Sequence, residues 1–283
     1  MDFTDDAIVL SARRHGEANL VLSALTREHG RHLGLVKGGA SRRQRPLLEI
    51  GNLLKVTWRA RLEEQLGNFT VEPLGAAAAT LLDDPLRLAC LSAACAVADI
   101  VLPEREPHED VYLATAKLIE AIAARAETVA AEPAKPEEGW EGGWATEDSR
   151  RLESQTWPAA RWLAAYVRWE LALLASLGFG LDLSKCAATG ETADLLYVSP
   201  KTGRAVSRAA GQGYVDRLLP LPRFLIDRDA TPDPSDILAG LRLTGYFLDR
   251  HVLHGPQAKG SATDRRLEAR GRFLERLADQ ARS

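Results

Sequence analysis

Cysteine is scarce in this chain. Only Cys90, Cys95 and Cys186 occur among 283 residues, and the opening MDFTDDAIVL is acidic rather than basic-then-apolar. An odd, sparse set behind such a start excludes a disulfide framework, and the cytoplasm is the expected compartment. Long apolar runs are missing as well. None approaches the ~18 residues that a membrane span requires, so no membrane contact is expected. Neither sign of charge dominates, because the net charge is only -3. Bulk charge therefore gives no sign of a polyanion partner, and any basic site must be local.

Catalytic patterns are missing too. The six histidines are His15, His29, His32, His108, His251 and His254. His251 and His254 share a helical face, but the Glu of H-E-x-x-H and a third ligand are lacking. There is no G-x-S-x-G, and no cysteine at a turn beside a histidine. No catalytic residue, metal site or cofactor is expected.

What remains is a chain that is 46% hydrophobic and 27% charged, a composition that suits globular domains with a sizeable core. Residues 1–78 read as strands: AIVLSARRH, ANLVLSALT, RHLGLVKG, NLLKVTWRA and QLGNFTVEPL. Each is short, rich in Val, Leu, Ile or Thr, and bounded by Gly, Asn or charge. Five such strands suit a small closed barrel of the OB-fold type, and SH3-like barrels fit nearly as well. Near residue 78 the period changes. Asp83 or Asp84 can cap a helix with Pro85 in its first turn, and helical spacing then runs to Pro103.

Residues 79–283 are expected to form a mainly α-helical domain. HEDVYLATAKLIEAIAARAETVAA continues it. PAARWLAAYVRWELALLASLGFG carries Trp162, Tyr166, Leu173 and Leu177 on one side, a core-facing stripe. Residues 132–150 are acidic and rich in Pro and Gly, and read as a solvated loop. Its Trp140 and Trp144 either dock on the core, the plainer reading, or form a weak partner site. Residues 181–222 read as an irregular, β-containing insertion with strands DLLYVS and RAVS. Helices return in PSDILAGLRLTGYFLDRHVLHG and DRRLEARGRFLERLADQ.

The charge is unevenly placed. Between Arg27 and Arg61 lie nine basic residues and two acidic ones, a local +7 within a chain of -3. Lys37 runs into Gly38-Gly39, and Arg42, Arg43 and Arg45 follow. Guanidinium groups grip phosphate oxygens bidentately, and glycines let the backbone turn sharply. Lys37, Arg42, Arg43 and Arg45 are the leading nucleic-acid contacts, with Arg13, Arg14, Arg59 and Arg61 behind them. Only Phe3, Trp58 and Phe69 supply rings in this domain, so base stacking is expected to be limited. The C-terminal segment from Arg250 holds eight basic and four acidic residues. It makes a second, weaker basic patch, for which a solvated helix face with salt bridges is the plainer reading.

The order of these features resembles a known family. AIVLSARRHGEANLVLSALTREHGRHLGLVKGGASRR, then LLEIGNLLKVTW and LGNFTVEPL, is similar to the N-terminal domain of RecO, the bacterial recombination mediator. LDLSKCAATGETADLLYVSPKTGRAVS resembles that family's middle segment. The resemblance implies an OB-fold, a helical domain and, in some members, a zinc-finger-like insertion. It implies binding of single- and double-stranded DNA, annealing of complementary strands and assistance to RecA loading. RecR and the C-terminal tail of single-stranded DNA-binding protein are the partners it implies. An OB-fold that binds RNA and an adaptor for acidic tails are the competing readings.

One departure bears on metal. Zinc-bearing relatives carry two C-x-x-C knuckles, whereas this chain has Cys186-Ala-Ala-Thr189 and Ser207-Arg-Ala-Ala210. One thiolate of four remains, and no histidine lies nearby to substitute. Metal analysis of the purified chain is therefore expected to find no stoichiometric zinc. One tightly held ion per chain would contradict this reading.

Overall fold

The computed structural model describes residues 1–62, 64–124, 159–227, 229–253 and 262–280. The expected acidic loop with Trp140 and Trp144, and His254, lie outside them. Strands β1 (Asp2–His15), β2 (Asn19–Thr26), β3 (Gly30–Val36), β4 (Leu53–Arg59) and β5 (Asn68–Gly75) form one sheet. They pair in the closed circuit β1-β2-β3-β5-β4, and β4 returns to β1. Every pairing is antiparallel except β3 with β5, which meet in parallel at Leu35 and Asn68. β1 starts earlier than its apolar run and serves two partners. Residues 2–8 pair with β4 and residues 7–15 with β2, and a register shift between Val9 and Ser11 bends the strand between them.

The run Ala7-Ile8-Val9-Leu10 is apolar throughout because both faces of this strand are covered. Ala7 and Val9 join Leu20, Leu22, Ala24, Val36, Leu54 and Val56 inside the sheet. Ile8 and Leu10, with Leu25, point outward into the core shared with the helices.

The helical region begins with the short α1 (Ala77–Thr80) and then α2 (Pro85–Val101). Asp84 is the cap: its carboxylate accepts from the Leu86 amide at 3.1 Å and the Arg87 amide at 3.0 Å. Such a cap contributes about 1 kcal/mol. Ala93, Ala94, Cys95 and Ala98 are buried along α2, and these small side chains let the helix lie close to the sheet. Gly51, at φ +82°, meets it there. A Cβ at that position would sit 2.6 Å from a Leu91 methyl.

Helices α3 (Glu109–Ala123), α4 (Ala160–Ser176), α6 (Pro234–Leu248) and α7 (Ala262–Gln280) complete the bundle. The stripe on α4 is core, with Trp162, Tyr166 and Leu173 buried and Leu177 packed at its edge. Between α4 and α6 the chain forms the small sheet β7-β6-β8 from Leu195–Val198 (β6), Ala205–Ser207 (β7) and Leu219–Pro220 (β8), with the short helix α5 at Arg208–Gly211. The third strand was not expected, because two residues carry no alternation. Its apolar side packs on Leu174, Leu243, Phe247 and Leu248.

The C-terminal helix departs from its reading as a solvated face. Arg270, only 12% exposed, donates to Glu170 at 2.7 Å and to the Leu241 carbonyl at 3.0 Å. Glu170, wholly buried on α4, also accepts from the Thr244 hydroxyl. Arg272, by contrast, does make an exposed pair with Glu268.

A second buried acid joins the sheet to the helices. Asp99, near the C-terminal end of α2, is 4% exposed. It accepts from the Ser23 hydroxyl, and from the Ser11 hydroxyl at 2.9 Å. Arg31 lies 3.6 Å from one of its oxygens and Arg13 3.6 Å from the other. Removing one partner of a buried charge cluster costs more than the net worth of the pair. Asp99→Ala is predicted to lower stability by about 3 kcal/mol and to speed proteolysis between the sheet and α2. Urea unfolding and limited proteolysis measure both, and a loss below about 1 kcal/mol would show that the cluster does not hold the junction.

Candidate nucleic-acid interface

The chain leaving β3 closes one end of the sheet. Gly38, at φ +67°, starts the turn, and Gly39 is packed so that a Cβ would meet the Val36 carbonyl at 3.1 Å and Leu20 at 3.2 Å. Ala40, Leu47 and Leu48 pack against the sheet interior, with Leu48 buried in a 3-10 turn at Arg45–Leu48. This apolar anchoring turns the polar side outward. Lys37, Arg42, Arg43 and Arg45 are all exposed. None has a carboxylate within 4 Å among the described residues.

Three side chains that sequence reasoning missed hold this capping loop. Asn19 accepts from the Gly38 amide at 3.0 Å. Ser41 accepts from the Gln44 amide at 3.3 Å. Buried Asn52 donates to the Pro46 and Leu47 carbonyls at 2.9 and 3.2 Å and accepts from the Ala78 amide at 3.3 Å. The hints in the sequence were two asparagines at strand starts and a serine in a loop, which are too common to single out.

The Ala40 amide bonds the Ala18 carbonyl at 3.0 Å, so the β1–β2 hairpin stands beside the loop. That brings Arg14 to the same end, exposed and without an ion pair among the described residues. Arg61 lies on the β4–β5 loop, which meets the other flank of β3 where the Leu35 amide bonds the Gly67 carbonyl at 3.0 Å. Two expected contacts are engaged elsewhere. Arg13 reaches Asp99, and Arg59 lies 3.7 Å from Asp2. Two further members of the +7 segment face the helices: Arg27 pairs with Glu109 at 2.9 Å, and Arg31 with Asp99 and Glu104. The basic segment thus divides into an engaged base and an unpaired tip.

The rings of the sheet are committed inside it. Trp58 is 3% exposed and donates to the Leu66 and Leu33 carbonyls at 3.1 and 3.3 Å. Phe69 is 4% exposed and lies against Gly34. Phe3 stacks on His29 at 3.9 Å and meets His32 edge-on at 5.0 Å, while the Arg105 guanidinium lies 5.9 Å over Trp58. Burial, then the positive Arg105 and the His29 ring, pull His32 down to about 4. Its Nδ1 is buried without a partner.

In the insertion, the four knuckle positions remain neighbours. The Ser207 amide donates to the Cys186 sulfur at 3.3 Å, and the Ser207 hydroxyl accepts from the Ala210 amide at 3.4 Å. Burial pushes the Cys186 thiol up, but hydrogen bonds from Ser207 and Thr189 outweigh it and bring it down to about 6. Among the described residues no group of three or more His, Cys, Asp or Glu side chains converges as metal ligands. Nor is any helix among them long and apolar enough to cross a membrane.

Comparison with known proteins adds the class. Residues 1–76 match the family model for the N-terminal part of recombination protein O, and residues 82–133 and 150–259 match that for its C-terminal part. The chain is 47% identical over 278 residues to a protein of Rhodospirillum rubrum named DNA repair protein RecO, covering 98% of this chain and 96% of the relative. Relatives of the same name in Rhodospirillum centenum and Methylobacterium nodulans are each 48% identical, over 98% and 90% of this chain and 94% and 91% of theirs. Matches of this extent define a protein of DNA repair and recombination, built from a five-stranded β part and a helical part. The chain belongs to the RecO family.

His32 makes acid sensitivity predictable. Its folded value lies below the ordinary 6.5, so the unfolded chain binds more protons between the two values. The contribution is complete above pH 6.5 and is lost as pH falls from 6.5 towards 4. Its size is on the order of 2 kcal/mol after allowing for partial solvation. The stability difference between the parent and His32→Gln should shrink over that window in urea titrations. A difference independent of pH would show that His32 is not held neutral.

Proposed function

We propose that the closed five-strand sheet is an OB-fold and that its capping loop is the primary DNA contact of a recombination mediator. The observation that carries this reading is the unpaired state of Lys37, Arg42, Arg43 and Arg45 on one anchored loop, with Arg14 and Arg61 on the adjoining loops. Arg27 and Arg31, close in sequence, are neutralised by the helices. Cations held apart from carboxylates by a fixed backbone attract a phosphate chain without first breaking internal pairs. With Trp58 and Phe69 buried and Phe3 stacked on His29, attraction to phosphate dominates and sequence preference is weak.

In this reading the protein binds single- and double-stranded DNA in the cytoplasm. By screening the repulsion between two phosphate chains it anneals complementary strands, a step that needs no nucleotide hydrolysis and no catalytic residue. Family membership supports the further reading that it assists the recombinase on DNA covered by single-stranded DNA-binding protein, with RecR and that protein's tail as partners.

The test is a salt titration of the full chain on single strands. With about five to seven phosphates engaged, log K should fall against log salt with a slope of roughly -3.5 to -5. The Arg42/Arg43/Arg45→Ala variant should weaken binding to all sequences alike and flatten the slope by about 2. Unchanged affinity and slope would remove the loop from the interface. Stronger competition by RNA than by DNA of equal length would favour an RNA-binding function.

A further inference from the structure

We propose that the helical half carries a second contact for single-stranded nucleic acid, one that stacks bases, on the exposed side of α6 and the turn that follows it. The proposal rests on the DNA-binding reading above, and supplies what the capping loop lacks.

Arg242, Tyr246 and Arg250 recur every fourth residue, so they share one face of the helix. All three are exposed. Tyr246 is 37% exposed. Arg250 donates to the Tyr246 hydroxyl at 3.0 Å and to the Pro200 carbonyl at 2.8 Å, which fixes its guanidinium beside the ring. Neither arginine has a carboxylate within 4 Å among the described residues. One acid, Asp249, lies within the same turn.

The rings form a connected series in which buried Phe247 and half-buried His251 join the two exposed ones, Tyr246 and Phe179. Tyr246 meets Phe247 edge-on at 5.3 Å. His251 lies parallel to Phe247 at 6.0 Å and is stacked on Phe179 at 4.9 Å and 14°. Phe179 is 39% exposed and follows the end of α4. The helix ends here in a π-helical turn, Asp249–Leu253, a local irregularity that tends to mark functional positions.

A lone exposed ring needs no explanation. Two exposed rings set among unpaired arginines are a different matter, since every base offers a face to stack on and every nucleotide a phosphate to bind. Charge complementarity therefore selects a single strand over an apolar peptide. A duplex, with its bases already stacked, would gain only the charge term. The surface also lies away from the capping loop. The Gly30 end of β3 touches Glu106, and nearby His108 bonds Ser176 at the end of α4, whereas the loop leaves β3 at its Val36 end. One chain thus has room for two strands.

The experiment uses the full chain with two short, non-complementary single strands, one carrying a donor dye and the other an acceptor. Energy transfer reports both strands on one protein, and a separate assay follows annealing of complementary strands. Phe179→Ala/Tyr246→Ala should leave the first strand's affinity and salt slope unchanged. It should weaken the second strand about tenfold and slow annealing comparably. Tyr246→Phe keeps the ring and should stay within about twofold of the parent. Both variants alter exposed side chains, and equal melting temperatures will show that they fold.

Unchanged energy transfer and annealing in the double variant would overturn this proposal, as would a parent that binds only one strand through the capping loop. In both cases the loop reading stands. If the Arg42/Arg43/Arg45→Ala variant is also unaffected, the loop reading falls as well. A double variant that handles both strands normally but loses a protein partner would assign the surface to protein and sink the proposal.

Discussion

Asp99 brings a carboxylate to the plane where sheet and helices meet. The apolar contacts around it, Ile8, Leu10 and Leu25 against the helical core, are non-directional and would tolerate sliding. The acid is not tolerant in that way. Its two oxygens are met by hydroxyls from β1 and β2, and by guanidinium groups from β1 and β3. Only one placement of α2 satisfies all four, because an unmet charge at this depth is more costly than a lost apolar contact. Burial makes the junction favourable, and Asp99 selects its geometry.

That selection decides which cations are free. Arg31 donates to the Leu102 carbonyl at 2.8 Å and reaches Glu104 as well as Asp99, and Arg27 is drawn to Glu109. The helices therefore neutralise the near end of the sheet. Among the described residues none of their carboxylates lies within 4 Å of the cations on the loop after β3, which folds over the interior. Its apolar residues are spent as a plug, so its charged ones have only solvent to face. Asn52 joins this loop to the helical region, holding the loop's carbonyls while accepting from the Ala78 amide.

Much of the architecture was legible because burial writes a period into a chain. The five strands, the Asp84 cap and the α4 stripe all follow from spacing and punctuation. Charge was less legible. Arg27 and Arg31 look the same in sequence as Arg42 and Arg43, and counting gave one basic segment. What separates them is distance to Glu104, Glu109 and Asp99, residues far along the chain. Arg270 failed for the same reason. It sits in a helix that is polar almost throughout, and only its meeting with Glu170 takes it out of solvent. Tyr246 was placed on a helix by its spacing, but whether a ring on an amphipathic helix faces core or water depends on which neighbour arrives. The β8 strand and the π-helical turn left no pattern long enough to read.

The insertion shows how one scaffold can be held by different means. Two turns meet at Cys186 and Ser207; the Cys186 amide closes the first on the Glu191 carbonyl at 2.7 Å, and the Ala187 amide ties it to the second through the Ala205 carbonyl at 2.8 Å. In a zinc knuckle the metal would supply the cross-link between such turns. One sulfur and two hydroxyls are a poor structural zinc set, since zinc favours four thiolate or imidazole ligands. Here the sulfur is instead an acceptor for the Ser207 amide, and Leu195, Val198 and Ala205 lean on Leu243 and Phe247 of α6. Hydrogen bonds do the local joining and burial against α6 does the rest. The integrity of this segment is thereby linked to the packing of the same helix that presents Arg242, Tyr246 and Arg250, and Arg250 closes that link by bonding the Pro200 carbonyl in the turn between β6 and β7.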